Sequence, residues 1–174
     1  LSSDGMLFTD FYSSSPVCTP SRASLMTGCY PRRVGMHEDA TGHWVLFPRS
    51  RRGLHPDETT VAEALKSRGY ATACIGKWHL GDQPAHLPTA HGFDFYYGIP
   101  YSNDMQVTGR GDPPLPLVEQ SDVIEAPVDQ SSLTKRYTEK AISFIEANQQ
   151  KPFFVYLPHT FPHLPLFASD NFRG

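Results

Sequence analysis

The 174 residues include only three cysteines, Cys18, Cys29 and Cys74. Three are too few for a disulfide framework, and their spacing is not that of a zinc site. One bridge, or plain burial of Cys29 and Cys74, fits equally well, and cysteine usage does not fix a compartment. No stretch approaches the roughly 18 consecutive apolar residues of a membrane span. Positive charge is not in excess, because the net charge is −3 with histidine neutral. That balance argues against a nucleic-acid surface, so an anion site has to be built locally. There is no internal repeat and no low-complexity tract.

The length suffices for one domain with a real core. The chain opens on Leu1 rather than methionine and stops at Gly174, just after a Pro- and Phe-rich stretch, so it is expected to be a piece of a longer protein.

Periodicity and punctuation predict alternating strands and helices. Residues Leu7 to Tyr12 alternate as a strand does, and Ser13 to Pro16 form a small polar loop. A helix is expected over Ser21 to Thr27, with Pro20 in its first turn and Gly28 as its stop. Residues 31–58 read as a long irregular loop, the kind that is often functional. Thr60 and Glu63 have capping-box spacing ahead of a short helix to Arg68, with Gly69 as its cap. Tyr70 to Ile75 reads as a buried strand and residues 82–130 mostly as loop. Ser131 or Ser132 would cap the longest helix, Leu133 to Asn148, with Leu133, Tyr137, Ala141, Phe144 and Ile145 on one face. Phe153 to Leu157 reads as a fully buried strand. This alternation points to an α/β layer fold with a mainly parallel sheet flanked by helices. In such a sheet, sites lie beyond the carboxyl ends of the strands.

Chemistry-bearing residues fall at those ends. Cys18 would open a helix, where free N–H groups and the dipole favour an anion, and Arg22 is one turn later on the same face. A buried structural cysteine with a surface arginine would look the same in isolation. The cysteine–arginine loop of tyrosine phosphatases has five intervening residues; here only three intervene, and Pro20 interrupts the loop. Lys77 and His79 lie two apart after a strand, so in extended chain both point one way, a cation and a titratable imidazole facing one site. His159 and His163 are four apart, but Pro158, Pro162 and Pro165 forbid the helix that would make them half a zinc site. The aromatic block His91 to Gly98 is read as a loop packed on the core.

The segment Cys18-Thr19-Pro20-Ser21-Arg22, followed by Leu25-Met26-Thr27-Gly28, resembles the signature of the formylglycine-dependent sulfatases. The resemblance extends through Gly76-Lys77-Trp78-His79-Leu80-Gly81, His91 to Ser102 and Pro152 to Pro165, and is greatest to the arylsulfatase A and N-acetylgalactosamine-6-sulfatase type. It implies an alkaline-phosphatase-like α/β fold, with residues 1–174 forming part of a catalytic domain that lacks its start and its C-terminal part. It implies that Cys18 is oxidised to formylglycine by a maturing enzyme and that the hydrated aldehyde is the nucleophile. By the same resemblance Arg22 and Lys77 stabilise the sulfuryl group, His79 is the base that releases sulfate, His163 protonates the leaving alcohol, and Ser102 lines the edge of the sulfate pocket. Asn103 stands where that relative has a histidine. The family also implies a divalent cation, Ca²⁺ or Mg²⁺. Of its ligands only position 18 would lie in this chain; Asp10 is assigned to the strand, and Asp170-Asn171 follows His163 too soon.

The implied activity is hydrolysis of aryl or carbohydrate sulfate monoesters by an exported enzyme, and the isolated chain is expected to be inactive. The alternatives are a phosphate or phosphonate monoester hydrolase of the same fold and a non-catalytic sulfated-glycan binder, although binding alone needs no nucleophile.

Overall fold

A computed structural model of the chain describes residues 2–39, 41–106 and 111–173. Helix α1 spans Cys18–Thr27, α2 spans Val61–Lys66 and α3 spans Leu133–Asn148. The strands are β1 (Ala71–Ile75), β2 (Phe95–Gly98), β3 (Leu117–Glu119), β4 (Asp122–Glu125) and β5 (Phe153–Tyr156). They form one sheet in the order β4-β3-β2-β1-β5. Strand β1 runs parallel to both β2 and β5, while β3 and β4 close one side as an antiparallel hairpin.

Strand β1 is buried at all five positions and splits the core. Cys74 faces a cluster with Ala23 and Met26 of α1, Ala62 of α2, Trp78 and Tyr96. Ala73 and Ile75 face the opposite cluster, with Tyr97 and with Leu133, Tyr137 and Ala141 of α3. Helices therefore cover both faces of the central strand, which is why it carries no polar alternation. The third cysteine, Cys29, is half-buried, and all three are free.

Several local readings hold. Thr60 and Glu63 make the reciprocal capping box at α2, and α3 has the expected bounds. Helix α1 begins three residues before the predicted start, so Cys18 is its first residue, and left-handed Gly28 ends it. The α3 cap differs: Ser132 makes no side-chain cap bond, and Asp129 instead accepts from the Ser131 N–H in a preceding 3-10 turn.

Other expectations are corrected. Residues 7–12 are not a strand: among the described residues no strand pairs with them, and Leu7, Phe8, Phe11 and Tyr12 are 65% to 85% exposed. Alternation specifies a strand only where a neighbour takes up its backbone groups. The stretch 82–130 holds three strands rather than loop alone. Strand β5 is an outer strand with Phe153 exposed, not a fully buried one.

Candidate active site

The turn that follows β1 is built by backbone bonds that prolong the sheet. The N–H groups of Gly76, Trp78 and His79 donate to the carbonyls of Tyr97, Ile99 and Pro100, and that of Lys77 donates to Pro158 at 2.9 Å. Such close approach requires glycine at position 76, where φ is +134° and a Cβ would stand 2.2 Å from the Pro158 carbonyl oxygen. The carboxyl ends of β1, β2 and β5 are thereby joined at one place.

Lys77 and His79 are both about 1% exposed there. They do not share a side by strand alternation, because His79 has φ +64°, in the left-handed region. The Lys77 Nζ donates to the Cys18 Sγ at 3.3 Å and to the Ser102 Oγ at 2.8 Å. Ser102 is buried within the cluster, not at its edge. Burial lowers the Lys77 pKa from its ordinary value, an effect the neighbouring Cys18 opposes.

Arg22, one turn into α1, donates to the Lys77 carbonyl and to the Tyr156 hydroxyl on β5. Cys18 is half-buried at the helix start, and Val17 before it supplies no side-chain cap. The Lys77 ammonium thus meets the Cys18 side chain at an uncapped helix start. The Arg22 guanidinium one turn on is tied to the main chain of that same lysine, a local excess of positive charge suited to an anion.

The His79 Nε2 lies 2.8 Å from the Leu46 carbonyl oxygen. That oxygen can only accept, so Nε2 carries the proton in the neutral ring and Nδ1 is a bare acceptor. Nδ1 is buried and has no hydrogen-bond partner among the described residues. Burial, then the Lys77 charge, holds the His79 pKa well below the usual imidazole value. His163 is half-buried after β5; its Nδ1 lies 2.6 Å from the Leu164 carbonyl, and it is near enough for its charge to add to the lowering at His79. His159 instead packs against Tyr137.

Two groups beside the cluster carried no sequence signal. Tyr156 is an ordinary strand residue until Arg22 reaches it. Asp104 acts on Lys77 through its charge, yet nothing in its spacing marks it. Asn103 is fully buried, and its amide donates to Gln130 and to the Pro165 carbonyl, tying the Ser102 turn to the His163 loop.

A divalent cation does not fit the described residues by themselves. Among them no three His, Cys, Asp or Glu side chains gather as a cation site. Asp10 is exposed and bonded by Thr9, and Asp170 pairs with Arg173 on the surface. No helix among the described residues is long and apolar enough to cross a membrane.

A family model described as Sulfatase matches residues 1–174. Arylsulfatase G of Mus musculus is 39% identical over 197 aligned positions, covering 97% of this chain and 36% of that protein. N-acetylgalactosamine-6-sulfatase of Mus musculus is 35% identical, covering 100% and 36% respectively. The chain thus spans little more than a third of the length of these curated relatives. Among solved structures, Ps i-CgsB superposes with a TM-score of 0.72 at 30% identity, over 92% of this chain and 38% of the other.

Proposed function

The chain belongs to the sulfatase family, with its alkaline-phosphatase-like α/β fold, and from that premise we propose that the full-length protein hydrolyses sulfate monoesters through a formylglycine formed from Cys18. The observation that carries this reading is the single buried ammonium of Lys77 bridging Cys18 and Ser102. The Cys18 sulfur stands in for oxygen on the same carbon. A free thiol at an uncapped helix start, bonded by an ammonium, is a position where oxygen bearing negative charge is equally well served.

The hydrated aldehyde supplies two hydroxyls on one carbon, one to take the sulfuryl group and one to expel it. The attacking hydroxyl enters as the alkoxide, its proton already lost to water and its charge held by the Lys77 ammonium. As its oxygen bonds to sulfur, Lys77, Arg22 and the first-turn N–H groups of α1 stabilise charge on the sulfuryl oxygens. As in phosphoryl transfer, positioning and electrostatics are the main contributions. His163 gives a proton to the ester oxygen as its bond to sulfur breaks, and the alcohol departs. Nδ1 of His79 then accepts the proton of the second hydroxyl. The electron pair left there re-forms the carbonyl, the carbon–oxygen bond to sulfate breaks, and water rehydrates the aldehyde. A base for that step has to be unprotonated, and the buried Nδ1 of His79, on a ring that burial keeps neutral, supports its assignment to this role.

Both aryl sulfates and carbohydrate sulfates fall within this reading, since one relative is named an arylsulfatase and another a sugar 6-sulfatase. A formylglycine-generating partner, export from the cytoplasm, and Ca²⁺ completed by ligands elsewhere in the full-length protein are part of it. The test is to coexpress the full-length protein with a formylglycine-generating enzyme. The Cys18 peptide is expected to be lighter than the thiol form by about 18 Da. Sulfate esters are expected to be cleaved in preference to phosphate and phosphonate esters. An active enzyme in which Cys18 stays a thiol would overturn the chemistry, and preference for phosphonates would overturn the substrate.

A further inference from the structure

Thr19 follows Cys18 in the first turn of α1 and is 2% exposed. Its hydroxyl does not cap its own helix. A buried hydroxyl has to satisfy one donor and at least one acceptor site. The Thr19 Oγ1 donates to the carbonyl of His79 at 3.1 Å and accepts from the N–H of Leu46 at 3.1 Å. Leu46 in turn offers the carbonyl that receives Nε2–H of His79 at 2.8 Å. Three buried hydrogen bonds therefore close a ring from Thr19 to the His79 main chain, from the His79 ring to Leu46, and from Leu46 back to Thr19.

Leu46 needs such an anchor. The described residues between α1 and α2 contain no helix or strand that would fix a carbonyl in place. His79 needs one as well, because its left-handed backbone is sparsely populated by residues other than glycine. The same hydroxyl holds both the backbone of His79 and the segment that orients its ring. We propose that Thr19 is a positioning residue for the base, fixing the ring of His79 so that its bare Nδ1 is presented to the group at position 18. This rests on the assignment of His79 made above.

Thr19→Val keeps the shape and removes the oxygen. It also alters the residue next to the modified cysteine, so every rate in the full-length enzyme is normalised to the formylglycine content read from the Cys18 peptide. Release of alcohol in the first turnover is expected to stay within about twofold of the parent, because the base acts afterwards. Steady-state turnover is expected to fall about 10- to 100-fold, the scale of a displaced catalytic group. The Cys18 peptide is expected to retain covalent sulfate in Thr19→Val, and Thr19→Ser, which restores the oxygen, is expected to recover the parent's behaviour. If Thr19→Val does not fold, Thr19→Ala, which leaves room for a water in place of the hydroxyl, is read instead. Parent-like turnover per formylglycine, equal falls in first and later turnovers, or a serine variant no better than valine would each overturn the proposal. His79→Ala is run alongside. Sulfate retained there but absent from Thr19→Val sinks only the Thr19 inference, whereas no retention in His79→Ala sinks the base assignment beneath it.

Discussion

His79 and His163 stand beyond the carboxyl ends of two paired strands, β1 and β5, and are held in opposite ways. His79 is buried, its N–H is bonded to Pro100, its ring is fixed by Leu46, and burial keeps it neutral. His163 is half-buried in irregular chain, and among the described residues its ring bonds the carbonyl of the next residue alone. The contrast matches the two proposed tasks. A base that removes a proton from a group of the enzyme itself can be locked into the scaffold. An acid that serves the departing alcohol has to face the substrate and regain a proton from water each cycle.

The most direct way to break this comparison is to delete each ring in the full-length enzyme. Either alanine variant is expected to lose about 10²- to 10⁴-fold in turnover, the usual reach of general acid–base catalysis. The losses should differ in kind. His163→Ala should lose far more on a sugar sulfate than on nitrophenyl sulfate, since nitrophenolate leaves without a proton. His79→Ala should lose alike on both and retain sulfate on the Cys18 peptide, as single-turnover kinetics with intact-protein mass would show. Equal losses for His163→Ala on both esters would mean that the two roles are wrongly divided. Next in size is Lys77→Ala, expected to lower turnover about 10²- to 10³-fold, as removal of a preorganised donor does. Because Lys77 also helps to hold His79 neutral, this variant should raise the pKa of that ring, measurable by NMR titration. An unmoved His79 pKa would separate the two residues.

The sequence made one side of this comparison more legible than the other. Pro20 in the first turn and Gly28 at the stop mark α1, so a helix opening near Cys18 with Arg22 one turn on is legible, although the start lies three residues earlier than the pattern predicts. The bounds of α3 and the Thr60 capping box were equally plain, because periodicity and capping are local properties. Strands of three or four residues, such as β2 and β3, exist through their pairing and left no local pattern. Residues 7–12 are the converse, a clear alternation with no partner among the described residues. The two-residue spacing of Lys77 and His79 predicts a shared side by strand alternation, whereas the chain leaves the extended conformation at His79 through a left-handed turn. The acceptor that fixes the His79 ring is a backbone carbonyl, and every residue has one, so no motif could have marked Leu46.

A third histidine, His91, extends the comparison away from the chemistry and leads to smaller effects. Its carbonyl accepts from the Thr60 Oγ1 at 2.8 Å, the hydroxyl that also caps α2. Thr60→Ala therefore removes a helix cap and leaves a buried carbonyl unpaired. It is expected to cost about 1–3 kcal/mol of stability. Turnover at a temperature where the variant is folded should be unchanged. Chemical denaturation with an activity assay checks both, and a fall in turnover would show that the α2 end is coupled to the site.

The His91 ring itself is fully buried, and neither of its nitrogens has a hydrogen-bond partner among the described residues. Burial lowers its pKa from 6.5; the charge of Glu63 opposes this and that of His86 adds to it. In the unfolded chain the ring titrates near 6.5, so as pH falls below that value the unfolded state takes up a proton that the folded state refuses. Stability from this group is therefore complete above pH 6.5 and is lost as pH falls from there toward the folded pKa. The slope approaches about 1.4 kcal/mol per pH unit for one group. His79 behaves in the same sense, but its removal would disturb the site. His91→Phe keeps a flat ring against Trp78, which itself packs edge-on to Phe93, and forfeits no hydrogen bond of the imidazole. It is expected to match the parent's stability at pH 7.5 to within about 1 kcal/mol, and to lose less stability than the parent between pH 6.5 and 5.5. Taking the difference between the two proteins cancels every other titration they share. Parallel stability–pH curves would mean that His91 protonates in the folded state as readily as in the unfolded one, and that burial alone does not keep a histidine of this fold neutral.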